Sequence, residues 1–246
     1  MAFVKGEGVL EELREIVIAD LVLIFAFTLT ISGGIVLAFR SPDALGVFVL
    51  YLPIVAVGVT LSFVLHELMH KFVAQRYGAV AGFRSSPIGL AITLITGAFG
   101  FLLGIPGATM IYAQSFTKKE NGIVSLAGPL TNFAVFLGTL AFGVAVAPSF
   151  LSFALNPTAI MPGPDAYLFL ALEFIMFISL LLAFFNMLPI FPLDGSKVFA
   201  WSKPVYAIVM GALLALLLLF HLLPMMTILY MLLIALLLSL FYRQMF

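Results

Sequence analysis

His66-Glu67-Leu68-Met69-His70 sets two imidazoles four residues apart with a carboxylate between them. In a helix, positions i and i+4 stand one above the other on a single face, so both rings can reach one metal ion. Glu67, one residue on from the first ring, is close enough to touch a water bound to that metal. Two ligands, one general base and one open coordination position are the parts of a hydrolytic zinc centre. A third protein ligand must come from elsewhere, and of the three histidines in the chain only His221 remains. The competing reading is a hydrogen-bonded polar cluster between helices. It loses ground because the pentapeptide closes a long apolar run, where ionisable groups are costly and mark function.

Asp194 is the best candidate for the third ligand. A carboxylate suits zinc beside two imidazoles. It follows a stretch in which two prolines and a glycine break an apolar helix, Asn186-Met187-Leu188-Pro189-Ile190-Phe191-Pro192-Leu193-Asp194-Gly195. Taken alone, Asp194 reads as a helix cap or a solvated loop acid; beside H-E-x-x-H the ligand reading is preferred.

The elements that must position these groups lie in a membrane. Of 246 residues, 64% are hydrophobic and 9% charged, which points to an all-α polytopic membrane protein. A net charge of +0 gives no reason to expect nucleic acid as a partner. With no cysteine, disulfides and thiolate ligands are excluded, leaving imidazole and carboxylate for metal chemistry. The mixed-charge amino terminus does not read as a cleavable signal.

About six transmembrane helices are expected in a single membrane-embedded domain over residues 1–246. They lie near 16–39, 45–75, 123–146, 167–188, 204–223 and 225–242, since about 20 apolar residues cross a bilayer core. A short polar lead-in precedes the first span, and Asp20 reaches the interface from its first turn. Pro53 is placed to kink the second span. Lys118 to Gly122 reads as a polar loop. Residues 88–107 are apolar but hold five glycines and Pro106. That much glycine weakens a helix, and non-helical backbone at membrane depth needs protein or a water-filled cavity beside it. The segment reads as a re-entrant loop or hairpin near the site; the alternative is a glycine-rich spanning helix.

With the amino terminus in the cytoplasm and six spans, ten of the eleven Lys and Arg residues fall inside and only Arg40 outside. Both termini are then cytoplasmic, in a multi-pass cell-membrane protein. Spans two and four end on the cytoplasmic side, so both chemically interesting stretches reach one depth. Glu67 lies nine residues, roughly 13 Å, along its helix from Arg76.

The two motifs together resemble the site-2 protease family of intramembrane zinc metalloproteases, and Gly128-Pro129-Leu130-Thr131-Asn132 is similar to that family's middle motif. The resemblance covers most of the chain from about Tyr51 to Lys197. It implies one zinc ion held by His66, His70 and Asp194, with Glu67 as base and Asn186 helping to hold the substrate or its oxyanion. It also implies an endopeptidase whose partners are the bilayer and membrane proteins carrying a transmembrane helix, with residues 88–107 as a re-entrant hairpin. Ser196 stands where many members have a second glycine, and no regulatory domain is seen, as in a core-only form. His221 matches no motif and reads as interfacial. Glu173 reads as a paired polar group in preference to a gate. Three other readings exist. A divalent metal transporter needs ligands repeated across the membrane's depth, whereas here they cluster on one side. A non-catalytic membrane-protein binder has no need of Glu67. A zinc peptidase class with glutamate as third ligand fits less well than Asp194 does.

Overall fold

The computed structural model describes residues 7–35, 41, 43–113, 115–156 and 165–223. They belong to two units, Met1–Ala113 and Gln114–Phe246. The expected sixth span at 225–242 lies outside the described residues, as does Arg40.

The first unit is organised around one long helical run. Helix α1 spans Glu7–Ile31 and α2 spans Ala44–Val59. A π-helical turn, Thr60–Val64, joins α2 to α3, Leu65–Arg76. The run Ala44–Arg76 matches the expected second span closely and contains Pro53. The π turn was not legible in the sequence. Such turns insert one extra residue into a helix, often beside functional groups, and this one immediately precedes the H-E-x-x-H helix. Asp20 lies against it: its Oδ2 accepts from the Thr60 hydroxyl at 2.6 Å. Asp20 is therefore buried within the unit, not turned to an interface as expected.

Helix α3 stops at Gly78, whose φ of 79° suits glycine, while the Ala79 amide returns to the Ala74 carbonyl at 3.1 Å. The chain then enters strand β1, Val80–Ser85. Ser86 caps helix α4, Pro87–Ala98, by accepting from Gly89 N, with Pro87 in the first turn. The backbone folds back along α4. Thr93 Oγ1 receives the Ile105 amide and Thr96 Oγ1 the Leu103 amide, both at 3.1 Å. Strand β2, Gly107–Tyr112, then pairs antiparallel with β1, from Val80↔Tyr112 to Ser85↔Gly107. This two-stranded sheet departs from an all-α chain. A spanning helix at 88–107 is not formed, because α4 has only 12 residues.

The expected polar lead-in is helical from Glu7 and clamps this hairpin. Glu12 accepts from the Phe83 amide at 3.1 Å and from Lys71 Nζ at 2.6 Å. Glu15 accepts from the Ser85 amide at 2.6 Å and from Arg84 Nη1 at 2.8 Å. Gly97 lets α4 approach α1 closely: a Cβ there would lie 2.8 Å from the Ala26 carbonyl oxygen.

The second unit holds helices α5 (Lys118–Val146), α6 (Ser149–Leu155), α7 (Ala166–Asn186), α8 (Asp194–Trp201) and α9 (Lys203–Leu219). Lys118 to Gly122 is the first turn of α5 and not a loop. Thr117 and Glu120 form a reciprocal capping box that starts the helix there. The core is aromatic. Phe150 meets Phe169 at 5.3 Å between ring centroids, and Phe136 meets Phe220 at 5.3 Å.

Among the described residues, three helical runs are long and apolar enough to cross a membrane: Ala44–Arg76, Lys118–Val146 and Ala166–Asn186. They carry exposed Val49, Val57, Leu130, Leu137 and Phe142, the surface a bilayer would cover. The chain is a mostly helical membrane protein.

Candidate metal centre

On α3 the two histidines behave as the spacing predicts. His66 and His70 are buried, and their Nε2 atoms lie 3.0 Å apart with the rings at 83°. Two nitrogens bound at about 2.0–2.1 Å to one tetrahedral zinc stand about 3.3 Å apart. The separation therefore fits two ligands of a single ion. The donor set fits as well, since imidazole and carboxylate nitrogen and oxygen are ordinary zinc ligands.

Glu67 is half-buried and leaves the histidine face toward β2. Its Oε2 accepts from the Thr109 amide at 2.8 Å and lies 2.8 Å from the Thr109 hydroxyl. That hydroxyl has one hydrogen to give; the Glu67 carbonyl oxygen, at 3.1 Å, is its weaker alternative. Sequence reasoning missed Thr109. It is legible only through the β1–β2 pairing, which is long-range.

In the second unit the broken end of α7 is ordered into a tight connection. The Leu188 amide returns to the Phe185 carbonyl, and Leu193 N to Ile190 O at 2.8 Å. Asp194 is the first residue of α8 and is buried, with Lys197 Nζ at 3.8 Å from its Oδ1. It is neither a solvated loop acid nor a side-chain cap of α8, whose N-cap is Leu193. Gly195 packs against the α7 end so closely that a Cβ would fall 2.1 Å from the Met187 carbonyl oxygen. That close approach fixes where Asp194 leaves the backbone. Asn186 ends α7 half-buried, its side-chain Nδ2 donating to the Leu182 carbonyl at 3.0 Å. His221, beyond the end of α9, is exposed with a φ of 50°. Glu173 lies partly buried within α7.

A model of peptidase family M50 matches residues 54–220. The chain is 38% identical over 183 residues to MJ0611 of Methanocaldococcus jannaschii, covering 74% of this chain and 86% of that one. It is 26% identical over 165 residues to YwhC of Bacillus subtilis, covering 60% and 68%. It is 32% identical over 164 residues to Rip2 of Mycobacterium tuberculosis, covering 61% and 56%. Each of the three is provisionally named a zinc metalloprotease. No solved structure matches the chain significantly.

Proposed function

The chain belongs to peptidase family M50, the site-2 protease family, and is a zinc metalloprotease; we propose that it cuts peptide bonds within the transmembrane segments of other membrane proteins. The observation that carries the reading is the convergence of the His66 and His70 Nε2 atoms at 3.0 Å, one residue from Glu67. These groups stand on a helical run apolar enough to cross a bilayer.

His66, His70 and Asp194 hold the zinc. Each is buried and offers one ligand atom. Zinc, when bound, supplies a lowered pKa to water and polarises a carbonyl. Glu67 takes a proton from the attacking water as its oxygen bonds to the scissile carbon, and delivers that proton to the leaving amine as the C–N bond breaks. Asn186 holds the substrate or its developing oxyanion, turning its amide away from Leu182 to do so.

The chain is one catalytic domain with about six spans and cytoplasmic termini in the cell membrane. The ten-to-one distribution of Lys and Arg supports that orientation. Residues 88–107 form a re-entrant hairpin. Helix α4 is about 18 Å long, short of the roughly 30 Å core. The returning backbone finds partners in Thr93 and Thr96, as lipid would require.

A helical substrate must unwind to present an extended backbone to the site. Each backbone group freed in lipid costs several kcal/mol unless it finds a partner. A helix carrying Gly, Pro or Asn near the cytoplasmic end of its span begins partly unwound. It is cut faster than an all-Leu helix of equal length and insertion, and within the span. Mass spectrometry of products from such a matched pair tests this. Cleavage confined to the soluble flanks would reject intramembrane cleavage, and equal rates would reject the unwinding requirement.

A further inference from the structure

We propose that Thr109 is a positioning residue for the Glu67 carboxylate, fixing which of its oxygens faces the attacking water; this rests on the reading of Glu67 as the general base. Phe83 and Thr109 oppose each other in the ladder. The Phe83 amide goes out to Glu12 and the Thr109 amide out to Glu67, so this is a non-hydrogen-bonded pair whose amides point to opposite edges of the sheet. Each edge is thus closed by a glutamate from a helix. On the β2 edge that glutamate belongs to the metal-binding pentapeptide.

The hold is double. The Thr109 amide and hydroxyl both lie 2.8 Å from Oε2, while Oε1 bonds to no other described residue. A carboxylate is planar, so pinning one oxygen from two directions fixes the plane and the place of the other. Oε1 is then the oxygen presented for proton transfer, and Oε2 the one that accepts the protein's donors. Thr109 supplies both donors from one residue, as Ser would. Thr also suits the strand, because its branched β-carbon favours extended backbone. Since α3 carries the base and β2 holds it, the hairpin fixes the base against the same helix that carries both imidazoles.

The test uses the full chain in detergent with a model transmembrane peptide as substrate. It records kcat, KM, zinc per chain and thermal unfolding. Thr109→Val removes the hydroxyl at nearly constant volume and leaves the amide; Thr109→Ser keeps both donors. A hydrogen bond to a charged group, lost in the transition state, corresponds to about 10- to 100-fold in rate. Thr109→Val therefore lowers kcat by about that factor, with KM within about twofold and with zinc as in wild type. Thr109→Ser recovers most of kcat. Equal kcat for Thr109→Val and wild type overturns the proposal. So does equal impairment of the Val and Ser variants, or a loss confined to KM or to zinc. Glu67→Gln, run alongside, separates the two readings. If it loses cleavage while Thr109→Val does not, only the positioning role fails; if it keeps wild-type cleavage, the assignment of the base fails and the positioning role with it.

Discussion

Glu12→Ala should loosen the β1–β2 hairpin by an amount the structure sets. The side chain accepts from the Phe83 amide at 3.1 Å and from Lys71 Nζ at 2.6 Å. Losing a hydrogen bond to a charged acceptor costs about 1.5–3 kcal/mol. The Lys71 pair, with side chains 23% and 12% exposed, adds about 0.5–1 kcal/mol after allowance for solvent screening. Together, about 2–4 kcal/mol of local stability is removed from a two-stranded sheet, which is marginal by itself. At about 1.4 kcal/mol per tenfold, the Phe83 amide then exchanges with solvent about 30- to 1,000-fold faster. Glu12→Gln keeps an acceptor for Phe83 but loses the charge, so its effect is smaller, about 0.5–1.5 kcal/mol. Hydrogen exchange read by mass spectrometry on a peptide covering Val80 to Ser86 gives the answer. A peptide around Phe136 in the core of the second unit is the internal control. Unchanged exchange in β1 of Glu12→Ala would refute the clamp.

Acid should release the neighbouring contact. Burial works against the Glu15 charge, but the Ser85 amide and the Arg84 guanidinium outweigh it and hold the pKa below its ordinary 4.5. A folded-state pKa below the unfolded one contributes stability above about pH 4.5, lost as pH falls through the folded value. Ser85 protection, corrected for intrinsic exchange, is therefore flat from pH 8 to 5 and falls below that; a loss between pH 5 and 8 would contradict it. Asp194→Ala should lose most bound zinc and His221→Ala none, by metal analysis; the reverse would move the third ligand to His221. Single cysteines, introduced into a chain that has none, test the orientation. Those replacing Ala2, Lys119 or Gln244 are labelled only from the cytoplasm and one replacing Ala159 only from outside; labelling at 119 from outside inverts the topology.

The chemistry was more legible than the scaffold around it. His66, Glu67 and His70 declare themselves because helical spacing converts a local pattern directly into geometry. The breaks before Asp194 are equally local, so the end of α7 could be placed within about two residues. The hairpin was not legible in the same way. β1 is six residues long and contains Gly82 and Arg84, and its partner begins more than twenty residues later. Pairing at that separation leaves little trace in local propensity. The role of Glu12 and Glu15 depended on that missing sheet: without β1 they read as a solvated acidic lead-in. A signal was present, since the two glutamates sit three apart on one helix face. The start of α5 was readable too, as Thr117-x-x-Glu120 has the form of a capping box. The π turn at Thr60–Val64 has no such mark. Its first residue, Thr60, bonds to Asp20, which only the folded chain brings near.

Zinc content and cleavage of a model transmembrane peptide, measured together on wild type and Glu67→Gln, decide whether Glu67 is the base of a zinc peptidase. Glutamine preserves the size of the side chain but cannot take a proton from water. With Glu67 as the base, Glu67→Gln binds zinc as wild type does and no longer cleaves. Cleavage retained at the wild-type rate by the zinc-loaded variant would contradict it.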